Sequence, residues 1–249
     1  EALDLPVSRV AARIESLQEF NPMLGLRGVR LGVTVPEIYE MQARAIFEAT
    51  IKASTKGAPV VPEIMIPLVS ARREVELVKA RVDAIAAEVK SKTGQEFTYR
   101  LGVMVETPRA ALRAGEIAEH SAFLSFGTND LTQMTYGLSR DDAGRFMSAY
   151  VQQGVFPEDP FQQLDVEGVG ELMHLGAERG RRARPDLIIS ICGEHAGQPS
   201  AIAFSRKAGF DYVSCSPFRV PVAKLAAAQL SIRDKMLPPD AQAIHEEIR

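Results

Sequence analysis

Five short apolar runs recur along the chain, separated by longer stretches in which apolar residues return every three or four positions. The runs are Glu63-Ile-Met-Ile-Pro-Leu-Val69, Leu101–Glu106, Ala122–Gly127, Leu187–Gly193 and Tyr212–Ser216. Each is short and nearly continuously apolar, the pattern of strands buried on both faces of a parallel sheet. Between the first two, Val75, Val78, Val82, Ile85, Ala86 and Val89 trace one stripe at helical spacing. Pro36, Pro108 and Pro199 each open a predicted helix, because the first turn has no use for the N–H that proline lacks. Strand and helix signals that alternate in this way predict an α/β architecture with crossover helices. After Leu237, the run Pro238-Pro239-Asp240 predicts a boundary followed by a short polar helix.

Composition narrows the reading mainly by exclusion. The 249 residues are 46% hydrophobic and 24% charged, ordinary values for a globular protein large enough to bury a substantial core. A net charge of −3, 6% aromatics and no tryptophan argue against a nucleic-acid surface, which needs excess cations and stacking rings. The local cluster Arg179-Gly-Arg-Arg-Ala-Arg184 reads instead as a helix C-terminus, where cations suit the dipole. No apolar run reaches the ~20 residues that span a bilayer, and the opening residues do not read as a signal peptide. Two cysteines in a chain of this length point to a reducing compartment, so a cytoplasmic location is expected.

The chemistry gathers where strands end. The run Ala122–Phe126 breaks at Gly127 into Thr128, Asn129 and Asp130, and the preceding strand ends in Glu106-Thr107-Pro108. Strand tips of α/β folds face ligands, with free backbone N–H groups in the loops that follow. Two carboxylates on neighbouring tips can share one hard divalent cation. Each also reads as an ordinary helix cap, a role in which Asp is favoured. Cys192 ends another strand just before Gly193-Glu194-His195, and Asn21-Pro-Met-Leu-Gly-Leu-Arg-Gly-Val-Arg30 presents similar residues near the amino end.

These segments carry a resemblance. GTNDLTQ at 127–133 with SRDD at 139–142, ICGEH at 191–195 and DYVSCSPFRVPVAKLAAAQ at 211–229 resemble the phosphoenolpyruvate-binding barrel of the PEP-utilising enzymes. That family includes pyruvate, phosphate dikinase, phosphoenolpyruvate synthase and enzyme I of the sugar phosphotransferase system, and the motifs point to the dikinase more than to the others. The resemblance runs from about Asn21 to about Gln229. It implies that residues 1–249 are a C-terminal PEP/pyruvate-binding domain with a (β/α)8 TIM-barrel fold. Only five of the eight strands such a barrel needs are legible, so the expectation is a partial barrel lacking about the first three.

The same resemblance assigns roles. Glu106 and Asp130 match the metal ligands, with Mg2+ expected and Mn2+ equally suited by ligand type. Arg27, Glu106, Gly127, Thr128, Asn129, Asp130 and Arg140 match substrate contacts, with Gly127 read as allowing close approach to the ligand. Cys192 matches a general acid and base acting at carbon 3 of pyruvate, in a pocket expected to be electropositive, since a thiol titrates near neutral pH. Glu194 and His195 are candidates to position that thiol or a water, and Cys215 reads as a small buried hydrophobe. The implied activity is the phosphoenolpyruvate/pyruvate half-reaction, in which a phosphoryl group passes between phosphohistidine and pyruvate through an enolate. The carrier domain that bears the phosphohistidine is an implied partner, because none of His120, His174, His195 and His245 sits in its motif. A homodimer is also implied. Two other readings stay open, a metal-dependent carbon–carbon lyase using the same enolate chemistry and an inert folding or dimerisation fragment.

Overall fold

The structure is a computed structural model that describes residues 5–18 and 23–236. The predicted boundary and polar helix after Leu237 lie outside the described residues, as do Asn21 and Pro22. Five strands form one parallel sheet in sequence order, β1 (Glu63–Ile66), β2 (Arg100–Val105), β3 (Phe123–Gly127), β4 (Ile188–Cys192) and β5 (Tyr212–Val213). The helices, in chain order, are α1 (Val7–Ser16), α2 (Val29–Thr34), α3 (Pro36–Ser54), α4 (Arg72–Thr93), α5 (Pro108–Leu112), α6 (Ala114–Ala118), α7 (Thr128–Tyr136), α8 (Arg140–Ala143), α9 (Met147–Gln152), α10 (Glu171–Ala183), α11 (Pro199–Lys207) and α12 (Val220–Met236). All five predicted strands are present. So are the three proline-led helices and the stripe on α4, whose Val75, Val78, Val82, Ala86 and Val89 are buried. The arginine cluster closes α10, as the dipole argument requires.

The two faces of the sheet differ. Leu101, Val103 and Val105 of β2, Leu124 and Phe126 of β3, and Ile189 and Ile191 of β4 share one buried cluster with residues of α4, α5 and α10. Alternate positions point the other way. Register sets them in rows: Gly102 beside Phe123 and Ile188, then Met104 beside Ser125 and Ser190, and at the tips Gly127 beside Cys192. Stacked rows of this kind line the inside of a barrel. The strands are therefore not uniformly apolar, as read from sequence. Their helix-facing positions are, while the inner rows mix the large apolar Phe123, Ile188 and Met104 with glycines, serines and Cys192. Gly102 is required there, since a Cβ would lie 2.4 Å from the Phe123 ring.

The first strand is shorter than the run 63–69 predicts. Pro67 cannot donate to the ladder, and Leu68 turns to φ 58, so pairing stops at Ile66. This strand is also an edge, half exposed rather than buried on both faces. Among the described residues, strands β1 and β5 each pair on one side only, so the five-stranded sheet is an open, partial barrel. Among the described residues no helix is long and apolar enough to cross a membrane.

Candidate active site

The tips of β2, β3 and β4 form one row. Val105 pairs with Phe126 and Gly127 pairs with Cys192, which sets Glu106, Gly127 and Cys192 side by side. A Cβ on Gly127 would stand 2.8 Å from Met104 Sδ and 2.9 Å from Glu106 Oε2. The glycine thus makes room for the side chains of its own neighbours.

Neither carboxylate caps a helix through an N-cap position. Thr107 caps α5, its hydroxyl accepting from the Ala110 N–H at 3.1 Å, while Glu106 Oε1 accepts from the Leu68 N–H at 2.7 Å. Leu68 holds the left-handed conformation that points its N–H at the carboxylate, a strained state for a leucine. Asp130 stands in the first turn of α7, where Gly127 is the N-cap. Both carboxyls are 8% exposed and hydrogen-bond to each other. Burial, the larger cause, and the adjacent Asp130 charge push Glu106 up to about 7, against the opposing pull of the Leu68 N–H and Arg27. Arg27 Nη2 lies 3.9 Å from Asp130 Oδ2, a separation that makes a loose pair.

Arg27 arrives on a loop, not a strand tip. Residues from Met23 to Gly28 are irregular and lead into α2, with Arg30 donating to the Leu24 and Gly25 carbonyls and so bracing the loop. Gly28, at φ 57, brings Val29 N–H to the Pro67 carbonyl at 2.9 Å. That contact docks the loop against the segment whose N–H holds Glu106.

The remaining tip residues tie β3 to β4. Thr128 Oγ1 donates to the Cys192 carbonyl at 3.0 Å, and Asn129 Oδ1 accepts from the Glu194 N–H at 3.1 Å. Gly193, at φ +103, permits that turn, and a Cβ on it would meet Thr128 Oγ1 at 2.5 Å. Cys192 Sγ lies 3.4 Å from Met104 Sδ and is hydrogen-bonded to Ser125. Glu106 is the charge that acts on it most directly. Burial first, and then the Glu106 charge, push the thiol up, while Ser125 opposes them. A cavity of about 300 Å³ opens beside it, lined by Glu194, Ser214, Cys215 and Arg219 among others. Cys215 is therefore half-buried at a cavity wall, not a sealed core residue.

His195 is engaged away from the cavity, and Glu194 lines the cavity beside the thiol. His195 is fully buried, and its Nε2 lies 3.0 Å from the Pro160 carbonyl. Burial and Arg140 hold it below the usual imidazole range, so Nε2 carries the proton and donates. Glu194 is exposed and contributes its backbone N–H. Arg140 opens α8 at the surface, joined to the carboxylate pair through Gln133. Gln133, Leu68 and Met104 were not legible as site residues. For Gln133 a signal existed, since three residues after Asp130 on a helix places both on one face.

Two carboxylates pressed together, with one accepting a single backbone N–H, form an oxygen donor set suited to a hard cation. Among the described residues no group of three or more acidic, histidine or cysteine side chains gathers, so protein ligands would number two. Magnesium ordinarily binds through one or two carboxylates plus substrate oxygens, which fits this pair.

Sequence comparison identifies the family. The model of the PEP-utilising enzymes' PEP-binding domain matches residues 1–232. The chain belongs to the PEP-utilising enzyme family. Among its relatives in that family, a pyruvate, phosphate dikinase of Rhizobium meliloti (strain 1021) is 56% identical over 234 residues, covering 94% of this chain and 26% of the relative. Pyruvate, phosphate dikinase 2 of Zea mays is 58% identical over 221 residues, 89% of this chain and 25% of that protein. The Clostridium symbiosum dikinase is 51% identical over 234 residues, 94% of this chain and 27% of its own length. The chain thus spans about a quarter of the length of these relatives. A citrate lyase structure from Burkholderia xenovorans LB400 superposes with a TM-score of 0.51 at 17% identity, covering 75% of this chain and 53% of that one. At that identity the likeness speaks for the barrel-type fold.

Proposed function

We propose that this PEP-utilising domain performs the phosphoenolpyruvate/pyruvate half-reaction of a pyruvate, phosphate dikinase. The observation that carries the reading is the row at the strand tips, a buried carboxylate pair beside a half-buried thiol at the ends of three adjacent parallel strands. Phosphoenolpyruvate is a compact anion, and losing its phosphoryl group leaves an enolate that needs a nearby positive charge and a proton donor. Glu106 and Asp130 would hold Mg2+, or Mn2+, which when bound supplies positive charge to the phosphoryl and enolate oxygens. Arg27 and Arg140 add planar guanidinium donors for carboxylate and phosphoryl oxygens. Asn129 and Thr128 fix the β4 tip through their side chains.

Cys192 moves the proton. In the direction of pyruvate formation the phosphoryl group passes to a histidine nitrogen of the carrier domain, and Sγ–H gives its proton to carbon 3 of the enolate. In reverse the thiolate takes that proton, and the enolate oxygen attacks the phosphohistidine phosphorus. The elevated thiol keeps Cys192 protonated at neutral pH, ready to act as the acid. The two free thiols suit a cytoplasmic setting. A homodimer and a separate carrier domain complete the proposal.

The test is carbon-3 exchange of pyruvate in D2O with magnesium, followed by proton NMR. The chain is expected to deuterate the methyl group of pyruvate. Cys192→Ala should lower the rate by about 100-fold or more. A wild-type chain that neither exchanges the methyl protons nor binds pyruvate in a magnesium-dependent manner by calorimetry would overturn the reading.

A further inference from the structure

Gln133 is buried, 9% exposed, in the last full turn of α7, and both ends of its amide are engaged. Its Oε1 accepts from the Arg140 N–H at 2.9 Å, and its Nε2 donates to Asp130 Oδ1 at 3.2 Å. The orientation is forced. A backbone N–H only donates, so the oxygen must face Arg140, which leaves the NH2 group for the carboxylate. The backbone carbonyl of the same residue accepts from Gly137 and Leu138, closing α7 where Gly137 turns to φ 64. One residue therefore ends α7, sets the path of 137–140 and fixes the first residue of α8.

From this geometry we infer that Gln133 is a positioning residue that holds Arg140 at a set distance from the Asp130 carboxylate. The inference deepens the reading of this site as one for phosphoenolpyruvate and pyruvate, and rests on it. A small anion held at one end by a cation on Asp130 and at the other by Arg140 requires those two groups to keep a fixed separation. They lie ten residues apart, across a helix end and a turn. Direct contact between them is replaced by one amide that touches both. Asp130 and Gln133 share a helix face, so the carboxylate is held in one rotamer by the side chain that anchors the arginine. Arg140 belongs to a helix of only four residues, too short to hold its own position.

Gln133→Met keeps the volume and removes both hydrogen bonds. In that variant the Arg140 amide is expected to exchange with solvent deuterium at least about tenfold faster, since its acceptor is gone. Gln133→Glu keeps an acceptor and should restore the protection. An Arg140 amide equally protected in Gln133→Met, or unprotected in Gln133→Glu, overturns the inference. Neither measurement depends on activity. In the pyruvate exchange assay, Gln133→Met should raise KM by roughly five- to thirtyfold and change kcat by less than about threefold. Combined with Arg140→Ala it should add little further loss, because both changes remove the same contact. Losses that multiply overturn the coupling. If wild type shows no exchange and no pyruvate binding, the assigned reaction falls. The amide measurement then decides on the tie by itself, loss of protection supporting it and retention overturning it.

Discussion

Glu106 and Asp130 are pressed together in a place where water cannot screen them, and the consequences are measurable one residue at a time. Raising Glu106 to about 7 means that the folded chain keeps a proton the unfolded chain releases near 4.5. Without a cation, stability from this group is full below about 4.5 and is lost as pH rises through 7. Gln at 106 can still accept the Leu68 N–H through Oε1 and can donate to Asp130. We therefore expect Glu106→Gln, in the presence of a chelator, to match wild type near pH 4.5 and to become the more stable protein toward pH 7.5. Paired urea titrations at the two pH values read the difference directly, and equal pH slopes would refute it. Added magnesium should reverse the order, stabilising wild type and leaving the variant unmoved. Much of this pair was legible in the sequence, because a carboxylate after an apolar run is visible at both positions. Its electrostatics were not. Only the register reveals that Glu106 also stands near Cys192, where its charge adds to burial in raising the thiol.

At the scale of elements, strand tips are held by contacts that cross from one loop to the next. Gly127 sits between two occupied side chains, so Gly127→Ala must displace either the Met104 sulfur or the Glu106 carboxyl. We expect a loss of about 1–3 kcal/mol from overpacking. Replacing Met104 with Ala in the same chain should recover part of it, and thermal melts of the single and double variants check the pair. His195 secures the β4 turn in another way, donating to the Pro160 carbonyl from a fully buried ring. His195→Leu leaves that carbonyl unsatisfied, at about 1–3 kcal/mol. His195→Gln can still donate and should be milder, and equal losses in the two variants would deny the hydrogen bond its role. The elements themselves were legible because apolar period and proline placement are local signals. The end of β1 was not, because it depends on Leu68 adopting a left-handed turn to serve a carboxylate 38 residues away.

At the scale of the whole molecule, the decisive feature is a parallel sheet whose two edges are unpaired among the described residues. Parallel sheets are normally covered on both faces and closed into barrels, and unpaired edges recruit other strands. Near the β5 edge, Phe218 is 95% exposed, with Val222 and Leu225 of α12 also facing outward. A patch of that kind on an open edge favours association. The proposed homodimer and the open edge therefore make the same prediction for this chain in solution. Sedimentation velocity at tens of micromolar should show a species larger than a monomer. Phe218→Asp combined with Leu225→Asp should shift it toward the monomer, since charge at both positions opposes burial of that face. Pyruvate exchange by Cys192 should survive the double substitution, because the thiol, the carboxylate pair and Gln133 all belong to the strand ends of β2 to β4 and to helix α7. A chain that stays monomeric at every concentration would remove the case for a dimer and leave the site reading intact. A substituted chain that loses exchange along with association would instead place part of the site across the interface.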